Sequence, residues 1–166
     1  MCDRNSECYP KVNVLISSVK KVFLNAPQRL RLFSQILPDI PLPPEPVITR
    51  WGTWINAANY YFVHFENVKR VIDRLDSKES VVIANAQEAV TDATVYESLR
   101  EIQSFYSRIP LAIQQLERRP HTDDFSLTDQ MNVIYDLRQY LSLVTCESAQ
   151  RIYQKLENIF NSNPVF

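Results

Sequence analysis

Residues 54–75 read WINAANYYFVHFENVKRVIDRL. The apolar positions Trp54, Ile55, Ala58, Phe62, Phe65, Val68, Ile72 and Leu75 recur every three or four residues. That is the period of one helix face and not the alternation of a half-buried strand. The spacing holds for about six turns at 3.6 residues per turn, and no glycine or proline interrupts it. The segment is therefore a long amphipathic helix, with Thr49 or Thr53 as its N-cap.

The same period fills the flanks. Val12, Leu15, Ile16, Val19, Val22 and Phe23 form an apolar face opposite Lys20 and Lys21, so a helix is predicted to end near Asn25. Pro27 suits the first turn of a second helix carrying Leu30, Phe33, Ile36 and Leu37. Five of the ten prolines lie between Pro38 and Pro46, where the chain lacks the N–H groups for helix or central strand and runs as an extended strap. Beyond the long helix, Val81–Val90 follows cap candidates in Ser77–Ser80. Ala93–Arg118 carries Leu99, Ile102, Phe105, Ile109, Ile113 and Leu116, with a kink or break at Pro110. Ser126 and Asp129 have capping-box spacing ahead of Met131, Ile134, Leu137 and Leu141. A last helix from Glu147 presents Ile152, Leu156, Ile159 and Phe160. Only Val81-Val82-Ile83 has strand-like composition, and its alanine-rich sequel favours helix. The reading is an all-α, irregular multi-helix bundle of six to seven helices with a Pro-rich strap. It divides into residues 1–37 (an N-terminal helical segment), 38–48 (the strap) and 49–166 (a larger helical domain).

Composition narrows the chemistry. Leu, Ile, Val and Phe supply 51 of 166 residues, enough for a core and well above the level of disordered chains. A single glycine disfavours phosphate-binding loops, dinucleotide fingerprints and nucleophile elbows, all of which need positive φ or close backbone approach. Three cysteines, Cys2, Cys8 and Cys146, are an odd count without a secretory signal, which favours a reducing compartment. Neither those cysteines nor His64 and His121 have metal-ligand spacing, so no metal or cofactor is expected. Neither histidine has a nucleophile beside it, and the pairs Asp73/Asp76 and Asp123/Asp124 read as solvated faces, so no catalytic residue is assigned. No stretch is long and apolar enough to span a bilayer, and no membrane partner is expected. A net charge of −1 excludes wholesale polyanion binding. Residues 1–37 nevertheless hold six basic and two acidic residues, leaving Lys11, Lys20, Lys21, Arg29 and Arg31 as the one modest basic surface.

Four stretches, PKVNVLISSVKKVFLNAP (10–27), LPPEPVITRWGTWINAANYY (42–61), IPLAIQQLE (109–117) and KLENIFNSNP (155–164), together resemble hAT-type transposases of animal genomes, most broadly in Thr49-Arg50-Trp51. The resemblance implies a chain derived from a transposable element. It places this sequence in the all-helical insertion that splits an RNase H-like core, with the three Mg²⁺-holding acidic positions of that core outside it. A catalytically inert remnant that scaffolds and touches transposon-end DNA is the function so implied, in the nucleus or otherwise the cytoplasm. Arg50 and Trp51 map onto the family motif, and with Lys20 and Lys21 they are the candidate DNA contacts. The contact would be weak and local, with a transposase core or a second copy as protein partners. From the residues alone, the alternative is a helical protein-interaction module that binds no DNA.

Overall fold

A computed structural model describes residues 9–46, 51–117, 126–145 and 147–162, with Trp51 and Ser148 described for their backbone alone. Eight α-helices account for most of these residues: α1 Pro10–Phe23, α2 Pro27–Ile36, α3 Trp51–Ile72, α4 Val81–Thr91, α5 Ala93–Tyr106, α6 Arg108–Leu116, α7 Leu127–Ser142 and α8 Glu147–Ser162. A 3-10 turn, Ser77–Glu79, precedes α4, and no strand occurs among the described residues.

Local chemistry sets most boundaries. Pro10 and Pro27 each open a helix, where a missing N–H costs nothing. Between them Asn25 takes the left-handed conformation at φ 53°, which asparagine tolerates better than most residues. The Ser80 side chain accepts from the Val82 N–H to cap α4, and Ser126 and Asp129 complete a reciprocal capping box on α7. Two boundaries differ from the sequence reading. The stretch 93–118 breaks at Ser107, three residues before Pro110, and the described residues hold eight helices, close to the six to seven read from the sequence. The reason is still Pro110: it has no N–H for the Tyr106 carbonyl four residues back, so α5 ends there and Pro110 sits in the first turn of α6. Thr53 lies inside α3 and is not its N-cap, while Thr49 is outside the described residues. Within α3 the backbone leaves helical geometry at His64 (φ −110°, ψ 16°).

The chain forms two compact units, Met1–Gln103 and Ser104–Phe166. In the first, α1 packs most extensively on α4 and also on α3 and α2. Its whole predicted face, Val12, Leu15, Ile16, Val19, Val22 and Phe23, is buried. Ser18, Ala86 and Ala89 are small and buried at these helices, so their backbones approach closely. Phe23 meets Phe33 edge-on at 5.3 Å to join α1 and α2, and Tyr96 of α5 lies within 5.7 Å of Phe62 and 5.3 Å of Phe65 of α3. The strap is irregular over 41–46 and tied at both ends: the Tyr60 hydroxyl donates to the Pro41 carbonyl at 2.6 Å, and Glu45 pairs with Lys20 at 3.2 Å. The strap and the N-terminal helices thus share a compact unit with the first part of the 49–166 segment. In the second unit, α6 and α8 each pack on α7.

Candidate functional site

The predicted cationic surface is largely engaged by the chain itself. Lys20, half-buried, is paired with Glu45 of the strap. Lys11 reaches Asp92 and the Thr94 hydroxyl, both at 2.8 Å. That hydrogen bond from Lys11, followed by those from Thr94, holds the Asp92 carboxyl down at about 2. Arg29 donates to the Val22 carbonyl at the end of α1. Lys21 is exposed, and neither it nor Arg31 has an ion pair among the described residues. Arg50 lies outside the described residues. Trp51 opens α3, and its side chain is likewise outside the described residues. Beside them, Trp54 donates its indole N–H to Asn13 Oδ1 at 2.5 Å, a link between α3 and α1.

Grooves are found between helices among the described residues. One, of 330 Å³, lies between α1 and α4, with Val14 and Ala89 on its walls and Lys11, Asn85, Glu88 and Asp92 around it. Another, of 210 Å³, lies between α6 and α7, with Leu111, Val133 and Leu137 as its apolar lining. No group of three or more His, Cys, Asp or Glu side chains is placed to hold a metal among the described residues. No described helix is long and apolar enough to cross a membrane.

The second unit contains the feature that sequence reading missed. On α7, Val133 and Leu137 line the groove against α6, and Tyr140 lies under the Arg108 guanidinium, 4.6 Å from the ring centre. Tyr135 and Arg138 face α8: Tyr135 stacks on Phe160, and Arg138 makes a two-pronged bond to Glu157 at 2.5 and 2.7 Å while covering the Phe160 ring at 4.9 Å. The hydrogen bond from Arg138 holds the Glu157 carboxyl below its ordinary range. At 100° per residue these two sets point about half a turn apart. The three helices therefore lie side by side as a layer, with α7 in the middle and running opposite to its neighbours.

A layer has two faces. One side of α7 shows exposed Thr128, Asn132 and Gln139 to solvent. The other carries Leu127, Ile134 and Leu141, and the right-handed sense of the helices puts Ile109, Ile113 and Leu116 of α6 and Ile152, Leu156 and Ile159 of α8 on that same side. Burial falls along it. At one end Ile109, Leu141 and Ala149 are buried, in the middle Ile113, Ile134 and Leu156 are half-buried, and at the far end Leu116, Leu127 and Ile159 are 36%, 73% and 59% exposed. Leu116 and Ile159, read from the sequence as members of apolar helix faces, are thus both exposed. The available signal was the width of the apolar arc on α8, from Ile159 round to Tyr153, which exceeds what one neighbouring helix covers.

No protein family, curated protein or solved structure matches this chain.

Proposed function

We propose that this chain is a helical scaffold, on the plan its resemblance to the hAT insertion domain implies, that acts through binding and takes protein in preference to DNA as its partner. The observation that carries this reading is where the chain spends its charged and hydroxyl groups. Tyr9 to Glu101, Lys11 to Asp92 and Thr94, Lys20 to Glu45 and Arg138 to Glu157 each join one segment to another. Groups so used fix the positions of helices. A phosphate backbone would have to compete with Glu45 for Lys20 and with Asp92 for Lys11. The exposed apolar end of the α6–α8 layer favours a protein contact, since apolar patches on soluble domains mark such surfaces. A local DNA contact near Lys21 and Arg50, a lack of catalysis by the isolated chain, and the nuclear address implied by the resemblance belong to the ancestry side of the proposal.

Fluorescence anisotropy with a labelled hairpin DNA tests it. The expected affinity at about 0.15 M salt is no better than the weak non-specific range, about 100 μM. Binding tighter than about 1 μM that falls steeply with added salt through counterion release, and is lost in Lys21→Ala or Arg31→Ala, would overturn the choice of protein over DNA.

A further inference from the structure

We infer that the strap is a ligand, its outer edge Ile40-Pro41-Leu42-Pro43-Pro44 being a preformed polyproline II segment that docks into the aromatic-lined groove of a proline-recognition domain. Covalent chemistry sets its conformation. Proline fixes φ at about −65° at positions 41, 43, 44 and 46, and the residues that precede these prolines, Ile40, Leu42, Pro43 and Glu45, are pushed to the extended region. Residues 41–46 accordingly form neither helix nor strand. With about three residues per turn, positions three apart share a side, and burial follows that period. Pro43 is buried, with Ile40 and Pro46 half-buried on its side; Leu42 and Glu45 form an exposed side; on the third, Pro41 is exposed and Pro44 half-buried.

Fastening the strap to the helices needs only its inner side. The outer edge is apolar as well: Leu42 is 46% exposed beside exposed Pro41. Pro41 and Pro44 stand one turn apart, about 9 Å at 3.1 Å per residue, which is the PxxP spacing that aromatic grooves read. The segment is also held in place. The Tyr60 hydroxyl holds the Pro41 carbonyl and Lys20 holds Glu45, so docking loses little further chain entropy. Charge selects among such grooves. Asp39 is exposed with no ion pair among the described residues, and the Glu45 side chain stays 66% exposed beside Lys20. The complementary groove therefore has a cationic rim. The same two carboxylates disfavour a phosphate-bearing partner at this edge.

Docking of the strap rests on the protein-binding reading of the chain, yet the two fail separately. Salt-steep binding of the hairpin DNA would overturn the choice of protein over DNA and leave strap docking to be measured in its own right. The decisive experiment titrates the full chain, by calorimetry, into a set of purified SH3 and WW domains whose grooves have basic or acidic rims. The expected result is a Kd of about 10–300 μM for basic-rimmed domains, as suits a small, transient interface. Pro41→Ala and Pro44→Ala should each weaken it about 10-fold or more. Tyr60→Phe keeps every atom of the edge but unties it, and should weaken binding about 2- to 5-fold through lost preorganisation. Helix content by circular dichroism should be unchanged in all three, and Val63→Glu, at an exposed position of α3 away from the strap in sequence, should bind as wild type. Absence of binding tighter than about 1 mM across the set overturns the inference, as does binding indifferent to both proline variants or confined to acidic-rimmed domains. Tighter binding by Tyr60→Phe would show that the strap must detach to dock, and would overturn the preformed edge.

Discussion

Tyr60 and Tyr61 are neighbours in α3, and removing the hydroxyl from each should move stability in opposite directions. The Tyr61 ring is fully buried and its hydroxyl oxygen has no hydrogen-bond partner among the described residues. Burial, with the charge of Tyr60 as a lesser cause, pushes its phenol far above the ordinary range. A buried hydroxyl without a partner costs about 1–3 kcal/mol in desolvation. Tyr61→Phe keeps the ring and discards that cost, so the variant should gain about 1 kcal/mol, or roughly 2–4 °C in a chain of this size. Tyr60 is half-buried, its phenol pushed up to about 12 by burial, and its hydroxyl holds the Pro41 carbonyl. Tyr60→Phe should therefore lose about 0.5–1 kcal/mol, the net worth of a partly solvated hydrogen bond. Urea unfolding followed by tryptophan fluorescence is the assay, because Trp51 and Trp54 both belong to the first unit. The rings touch at 5.5 Å, so the double variant should depart from additivity. A loss of stability in Tyr61→Phe would refute the reasoning and show that the hydroxyl is hydrogen-bonded, to a buried water or otherwise.

Leu15→Ala, at a fully buried position of α1, should cost about 2–5 kcal/mol in the same urea assay, since close approach at Ser18, Ala86 and Ala89 leaves the helices little room to collapse into the cavity. The Asp92 carboxyl, depressed to about 2, contributes stability that is fully present above its unfolded value near 4 and is lost as pH falls through 2. The stability difference between the wild type and Asp92→Asn should accordingly shrink on acidification from about pH 4 to pH 2, read by thermal unfolding at each pH.

The helices were legible because period and punctuation agree. Pro27, Ser80 and the Ser126–Asp129 pair stop and start helices by local chemistry, which a sequence displays in full. The break at Ser107 was harder, because a proline disturbs the helix at the carbonyl four residues before it and the visible mark is displaced from its effect. Faces were legible for α1, where every predicted core residue is buried, and misleading for α6 and α8. Amphipathicity reports that a helix has an apolar side and says nothing of whether the chain supplies a neighbour for all of it. Ile72 and Ile159 look alike as members of a helical stripe, yet one is fully buried and the other mostly exposed.

The candidate DNA contacts show the same limit for charge. Counting cations gave residues 1–37 a basic surface, but a cation serves a phosphate only if it is free of other acceptors. Lys20 illustrates the difference. Its partner Glu45 lies in the Pro-rich segment read as an extended strap, and no periodicity links positions 20 and 45. The pairing arises because the strap folds back across α1, held at its other end by Tyr60. Moving Lys20 to DNA would exchange one solvated ion pair for another, with little direct gain beyond released counterions, and would loosen one tie of the strap. Glu45→Gln makes that step unnecessary. If a DNA site is latent in this chain, the Glu45→Gln variant should bind the hairpin more tightly than wild type, and Lys20→Ala placed on top should cancel the gain. An Glu45→Gln chain with unchanged affinity would mean that the strap masks nothing and that Lys20 is a structural residue alone.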